Sequence, residues 1–344
     1  MRVHRRMVLA AGLVTAPAIV SARTERRWRM VTSWSRNLVG PGVTAERLAR
    51  RITAMSDGAL VVELFAAGEV VPALSVFDAV SNGTVEMGHS AALFQAGKWP
   101  VASVFTTVPF GLPPIAHAGW LDHGGQALWD SLYAPSGVKP ILAGNTGPSS
   151  AGWFRKSVES LADLAGLRIR ATGLGSELYR RMGATPVALA PGETYPALER
   201  GVLDAAEFLA PANDAALGLH RIAPFLALPG FNKPNGASEL LVARPLWEGL
   251  PAHLQAVIEA AARMEHDLGL AEAHRLNAEA LRSLIAAGTT ITRLSPEILA
   301  RGAILVEELL AEIAARDSLS ARIVESYRAY RNDATRAWEN LTRI

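Results

Sequence analysis

Residues that could bind an anion stand where short apolar runs end. Arg170 closes the alternating run 167–170, and a glycine-rich turn and a helical pattern from about Gly175 follow it. Open α/β sheets bind ligands at the carboxyl ends of their strands, and the first N–H groups of a helix lack partners. A guanidinium at such a place suits a carboxylate, which it can bind through two parallel hydrogen bonds. Position alone leaves open a solvent-exposed arginine on a strand edge.

A second polar cluster lies in the segment 204–214. Glu207, Phe208 and Asn213 crowd the end of another apolar run, and Glu239 lies on a strand after a loop rich in Gly, Pro and Asn. Hard cations prefer oxygen ligands of the kind that would converge there. The alternative is that the two glutamates pair with arginines or cap helices.

Several kinds of chemistry are excluded. The chain has no cysteine, so thiol catalysis and disulfides are ruled out. It has no G-x-S-x-G elbow, no H-E-x-x-H motif and no Walker A loop. An enzyme would have to use Glu207 and Glu239 as acid and base, and such a pair needs a separation that the sequence does not give.

The first 22 residues have the form of a secretory signal. Arginines at 2, 5 and 6 precede an apolar stretch that is too short for a comfortable membrane span. We therefore expect export to the periplasm with cleavage near Ala22, and the Arg pair leaves the twin-arginine and general routes open. Cleavage removes three arginines and no acidic residue, so 34 basic and 32 acidic residues become 31 and 32. The remaining chain then shows no basic patch of the kind that would indicate a nucleic-acid partner.

Strand and helix patterns alternate along the remaining chain, which predicts an α/β fold with helices on both faces of a mostly parallel sheet. The second half repeats this order. Segment 76–88 aligns without gaps on 194–206, so that Gly83 matches Gly201. Two similar lobes are therefore expected, with chance convergence as the alternative. Helical periodicity then runs from 246 to about 288, which is long enough to span both lobes.

Many ordered motifs between residues 28 and 330 resemble the extracytoplasmic substrate-binding subunits of TRAP transporters, the DctP-type family. Among them are "VPFGL", "GWFRK" and "LADLAGLRIRATGLGSELYRRMGATP". The chain is most similar to the branch that binds 2-oxo acids and related monocarboxylates. The resemblance implies a two-lobed periplasmic binding protein fold of type II with a long helix spanning both lobes. The implied divisions are a signal peptide (1–22), lobe I (28–148 and 237–272), lobe II (149–236 and 273–316) and a C-terminal helical segment (317–344).

The resemblance also implies roles for individual residues. Arg170 would pair with the ligand carboxylate. The other expected substrate-binding residues are Asn213, Ser149, Phe94, Trp34 and Phe208. A calcium or sodium ion would bridge ligand and protein, held by Glu207, the Phe208 carbonyl and Glu239.

Three positions depart from the family pattern. Ser149 stands where Gln is usual, Phe208 where Trp is usual, and Phe94 where Tyr is frequent. The expected pocket is less polar than the pattern, which favours a more apolar acid, and Ser149 puts one metal or ligand contact in doubt. Trp34, Trp99 and Trp153 are each either cleft walls or ordinary packing.

These features predict a periplasmic binding protein that captures a small monocarboxylate and performs no chemistry on it. It would close about hinges near 147–152 and 232–238 and then dock on the membrane permease subunits. A homodimer through 317–344 is a further expectation. The alternatives are a periplasmic ligand sensor and a small-acid hydrolase using Glu207 and Glu239.

Overall fold

The computed structural model describes residues 25–342, so the signal sequence expected at 1–22 lies outside the described residues. The strands are β1 (Arg26–Thr32), β2 (Leu60–Phe65), β3 (Met87–Ser90), β4 (Val138–Asn145), β5 (Gly152–Phe154), β6 (Arg168–Arg170), β7 (Thr185–Val187), β8 (Ala205–Ala206), β9 (Phe225–Leu228), β10 (Ala237–Ala243) and β11 (Thr290–Arg293). The helices are α1 (Pro41–Met55), α2 (Val76–Ser81), α3 (Pro114–Trp120), α4 (Gln126–Tyr133), α5 (Gly173–Arg181), α6 (Pro191–Glu199), α7 (Pro211–Ala216), α8 (Arg244–Glu248), α9 (Ala252–Ala286), α10 (Pro296–Ala314) and α11 (Ser318–Thr342).

The strands form two sheets, one for each lobe. Lobe I has the order β2-β1-β3-β10-β4, and lobe II has the order β11-β9-β5-β8-β6-β7. The predicted two-lobed α/β fold is confirmed. The sheets are mixed rather than mostly parallel, because β5 and β10, the strands that follow the first two passages between the lobes, are each antiparallel to both of their neighbours.

The long helix α9 has 35 residues and contacts α1 and β4 of lobe I and α7 of lobe II, which confirms that it spans both lobes. Its fully buried Glu265 forms ion pairs of 2.9 Å with both Arg47 and Arg51 of α1. The helix starts at Ala252, directly after Pro251. A separate α8 precedes it, and Pro251, which lacks the N–H that a continuing helix would use, caps α9.

The last two helices pack largely on lobe I. The second half of α10 and the first half of α11 join its apolar core, and the Tyr327 hydroxyl accepts a 2.7 Å hydrogen bond from the Leu112 N–H. Ser295 caps α10 by accepting from the Ile298 N–H, as its position before Pro296 predicts. Within residues 25–342 no helix has the length and apolar character needed to cross a membrane.

Two chain segments pass between the lobes side by side. Thr146 N donates to Gly236 O at 3.1 Å, and Ser149 N donates to Lys233 O at 3.0 Å. The approach is so close that a Cβ at Gly230 would lie 1.8 Å from Ser149 O. These segments include the ranges predicted as hinges, and they place Lys233 between the lobes.

Candidate functional site

Strand β6 aims Arg170 into a cavity between the lobes. Ile169 points into the core of lobe II, and the residues on either side of it share the opposite face of the sheet. Arg168 at the start of the strand is exposed and pairs with Asp204 at 2.7 Å. Arg170 at the end of the strand lines the cavity and is only 1% exposed. This burial excludes a solvated arginine on a strand edge.

The Arg170 guanidinium is held by backbone carbonyls. Nη1 donates to Glu207 O at 2.7 Å, and Nε and Nη2 both donate to Leu189 O at 3.2 Å. A guanidinium has five N–H groups, so two remain without a partner among the described residues. Burial lowers the pKa of Arg170, and the charge of Glu207 opposes that shift. A permanently charged group with unused donors in a cavity is suited to an anion.

A buried lysine stands beside this arginine. Lys233 Nζ donates to Phe208 O at 2.6 Å and contacts Glu207 Oε1. The other oxygen, Glu207 Oε2, is 3.8 Å from Arg170 Nη1 and accepts no hydrogen bond from the described residues. Burial lowers the pKa of Lys233, and Glu207 opposes that shift. One carboxylate therefore lies between two buried cations.

Lobe I covers the cavity with apolar groups. Trp34, Leu93 and Phe94 line it opposite Arg170, and its empty volume is about 380 Å³ including the mouth. The centre of a water-sized sphere can reach only about 30 Å³ of this space, which is room for about two water molecules, so the cavity is small in this arrangement of the lobes. At the start of α5, Thr172 also lines the cavity, and its Oγ1 has no hydrogen-bond partner among the described residues. The site suits a small anion with an apolar part.

Three of the predicted substrate-binding residues besides Arg170 meet at this cavity: Trp34, Phe94 and Phe208. The Arg170 guanidinium lies 5.5 Å from the centre of the Phe208 ring, within cation–π range. Trp99 instead packs in the core of lobe I, and Trp153 is fully buried in lobe II. The Trp153 indole donates to Asp214 Oδ2 at 2.8 Å, and burial raises the pKa of that carboxyl to about 6.

Ser149 and Asn213 lie near the cavity without lining it. The Ser149 hydroxyl donates to Lys233 O at 3.0 Å, so it fixes the backbone of the lysine. Asn213 Nδ2 donates to Val39 O at 2.7 Å, which joins lobe II to lobe I. In this structure Ser149 positions Lys233, and Asn213 holds the lobes together.

Glu239 does not reach the site. Both Ala237 and Ser238 line the cavity, whereas the next residue, Glu239, does not. The Tyr133 hydroxyl donates to its Oε2 at 3.3 Å, and burial raises its pKa to about 8. A shift in the register of β10 with β4 between Ala237 and Glu239 makes this orientation hard to predict. Glu207 and Glu239 therefore do not form the acid–base pair of a hydrolase.

The residues present do not fit the metal ion that the resemblance implied. The Lys233 ammonium already contacts the Glu207 carboxylate and the Phe208 carbonyl. Glu239 instead contacts Tyr133 in lobe I. Across the described part of the chain, no three His, Asp or Glu residues are grouped so that they could hold a metal ion.

Lys233 and Thr172 line the cavity but were not among the residues predicted from the sequence. A signal for Lys233 existed in composition, because it is one of only four lysines in a chain that otherwise uses arginine for its basic residues. It also lies in one of the segments predicted to be a hinge. Its burial, however, depends on Glu207, which is 26 positions earlier in the chain.

Comparisons with known proteins show the family to which the chain belongs. Residues 34–317 match the family described as DctP, bacterial extracellular solute-binding protein, family 7. A monocarboxylate 2-oxoacid-binding periplasmic protein from Nostoc sp. is 37% identical over 319 residues, which cover 92% of this chain and 87% of the relative.

Solved structures of TRAP solute-binding proteins share the fold. One from Bordetella bronchiseptica, a dimer with calcium and picolinate, has a TM-score of 0.90 at 33% identity and covers 92% of this chain and 95% of its own. One from Pseudoalteromonas atlantica with sodium and pyruvate has a TM-score of 0.88 at 32% identity, covering 92% and 97%. One from Colwellia psychrerythraea with calcium and pyruvate has a TM-score of 0.88 at 31% identity, also covering 92% and 97%.

Proposed function

Because the chain belongs to the DctP family of TRAP solute-binding proteins, which are periplasmic binding proteins and not enzymes, we propose that it captures a small 2-oxo acid or similar monocarboxylate between its lobes. The observation that carries this proposal is Arg170, which is buried in the cavity with two N–H groups unused. These donors would bind the carboxylate of the acid. The membrane permease subunits of a TRAP transporter would receive the ligand.

The side chains of lobe I that line the cavity limit which substituent the acid can have. Phe94 and Leu93 offer no hydrogen-bonding side chain, and the Trp34 indole N–H is already bound to His89 Nδ1 at 2.8 Å. Lobe I therefore favours a short apolar substituent over a second carboxylate. Relatives with bound pyruvate have ligands of this class. This binding mode uses no sodium or calcium ion, since Lys233 contacts the oxygens that were expected to bind it.

Calorimetry of the purified protein tests this function against a panel of 2-oxo, 2-hydroxy and branched monocarboxylates, with a dicarboxylate as the matched control. We expect 2-oxo monocarboxylates to bind more tightly than the dicarboxylate and to be recovered unchanged. Absence of binding to every acid in the panel, or conversion of the acid, would overturn the proposal. Size measurement in solution separately tests whether the chain forms a dimer through its last helix.

A further inference from the structure

We propose that the Lys233 ammonium replaces the metal ion of the pyruvate-binding relatives, so that this chain binds its acid without an added cation. This inference rests on the proposed function and concerns how the same site recognises its ligand. The lysine and the expected metal ion would bind the same two groups. The carboxylate and the carbonyl expected to hold the metal are the two groups that Lys233 Nζ contacts, at Glu207 Oε1 and Phe208 O.

The lysine is fixed in this place by the backbone around it. Both the N–H and the hydroxyl of Ser149 donate to Lys233 O, each at 3.0 Å. The longer Gln expected at position 149 would have supplied an oxygen to a metal, whereas the short serine ends on the lysine backbone. Lys233 is 4% exposed, so its ammonium depends on these partners for its stability.

The ammonium also has a donor left for the ligand. It has three N–H groups, and the two contacts described account for two of them. Lys233 lines the same cavity as Arg170. An acid with a second oxygen next to its carboxylate can thus use both cations at once, with the carboxylate on Arg170 and the neighbouring oxo or hydroxyl oxygen on Lys233. This arrangement selects 2-oxo and 2-hydroxy acids over simple fatty acids.

A metal ion would have to displace the ammonium from both oxygens. Without that displacement, the metal ion would be a third cation beside a carboxylate that Arg170 and Lys233 already share, and its repulsion by them would be strong in a buried site. Glu239, the third expected ligand, lies in the lobe I core beside Tyr133. The lysine therefore supplies the positive charge and excludes a free cation from the same place.

The first experiment uses the unaltered chain and pyruvate as the probe. Calorimetry is run in sodium-free buffer with a chelator and again with saturating calcium or sodium, and elemental analysis follows dialysis. We expect the dissociation constants to agree within about twofold and no bound metal to be found. Binding that disappears in chelator and returns with calcium would overturn the proposal while leaving the function intact. Absence of pyruvate binding under every condition would instead count against the function.

The second experiment changes the lysine. Lys233→Ala leaves room beside Glu207, so we expect pyruvate binding in chelator to weaken about 10- to 100-fold, as for loss of a charged hydrogen bond, and calcium to restore part of it. Lys233→Met fills the space without charge, and its weakened binding should not respond to calcium. Wild-type affinity of Lys233→Met in chelator would overturn the proposal.

Matched controls separate recognition from folding. Lys156 is an exposed lysine of lobe II, and Lys156→Met should leave affinity and cation response unchanged. Thermal melts identify variants that fail to fold. The double variant Lys233→Met/Glu207→Gln removes both charges together, so it avoids an unpaired buried carboxylate, and it should fold and still bind weakly.

Discussion

The two lobes use the same strand pairing but differ in the residue at the strand end that faces the cleft. In lobe I, β1 runs parallel to β3 and Val31 lies opposite Gly88. In lobe II, β6 runs parallel to β8 and Arg170 lies opposite Ala206. The position that faces the ligand cavity as arginine in lobe II is a buried valine in lobe I.

The likeness extends to the ion pair two residues earlier. Glu86 of lobe I accepts from the Arg29 N–H at 2.7 Å and also binds its guanidinium. Asp204 of lobe II accepts from the Arg168 N–H at 3.1 Å and binds that guanidinium in the same way. The scaffold is thus repeated in detail, while the chemistry at the strand ends is not.

The residues that follow Gly88 and Ala206 show the same division. Lobe I has His89, whose Nε2 lies 2.7 Å from Ala143 O and whose pKa burial lowers to about 4, so it is neutral at pH 7. Lobe II has Glu207, which contacts Lys233 and lies near Arg170. The charged groups beside the cavity therefore lie in one lobe, and the other lobe faces them with neutral groups.

The largest expected effect comes from removing the charge of lobe II. Arg170→Ala should weaken pyruvate binding by about 2–5 kcal/mol, or about 30- to 4,000-fold, because the carboxylate loses its buried partner. The control is Arg168→Ala, two residues earlier on the same strand, which should leave the dissociation constant unchanged. Equal losses in the two variants, measured by calorimetry, would refute the assignment.

The neutral His89 of lobe I should affect how the free energy of unfolding changes between pH 7 and 4. The unfolded chain protonates His89 near its ordinary pKa of ~6.5, whereas the fold resists protonation until about pH 4. The unfolded state binds more protons in this window, so His89 removes stability as the pH falls, on the order of 3 kcal/mol in total. His89→Gln should lose this part of the slope in denaturant titrations from pH 7 to 4. An unchanged slope would contradict a neutral His89.

A smaller effect is expected where the lobes touch. Asn213→Ala removes the hydrogen bond to Val39 O, which should cost about 0.5–1.5 kcal/mol of closure, or up to about tenfold in affinity. The loss should lie mainly in faster ligand release, measured by stopped-flow fluorescence. A loss as large as that of Arg170→Ala would instead indicate direct ligand contact by Asn213.

The smallest effect is expected from the acidic residue of lobe I. Glu239→Gln should leave pyruvate affinity unchanged, with or without calcium, because Glu239 faces Tyr133 and not the cavity. The raised pKa of about 8 means that the wild type loses stability as the pH rises from ~4.5 to 8, and the variant should lose less. A calcium-dependent loss of affinity would restore Glu239 as a metal ligand.

The sequence predicted the fold well because its signals were local. Strand alternation, the glycine that ends each repeated helix, and the arginine at a strand end all lie within a few residues of each other. Gly83 and Gly201 take φ values of 76° and 70°, which explains why both repeats need glycine there.

The site was harder to predict because its contacts are distant in the chain. Lys233 meets Glu207 only after the chain has left lobe II's sheet and turned back, and nothing near either residue indicates the pairing. The register shift in β10 decides which way Glu239 points. Asn213 meets Val39 across 174 positions. Such contacts depend on how distant segments pack, and the Asn213 contact depends also on the closed arrangement of the lobes, which local patterns do not encode.

The close backbone packing of Gly230 against Ser149 has a mechanical consequence. Two backbone segments that pack flat against each other bend readily in one direction and resist twisting. The lobes should therefore swing about one axis and return to the same closed geometry after each cycle. A side chain at Gly230 would push the two segments apart and tilt that axis, so this substitution would alter the closed shape of the two lobes.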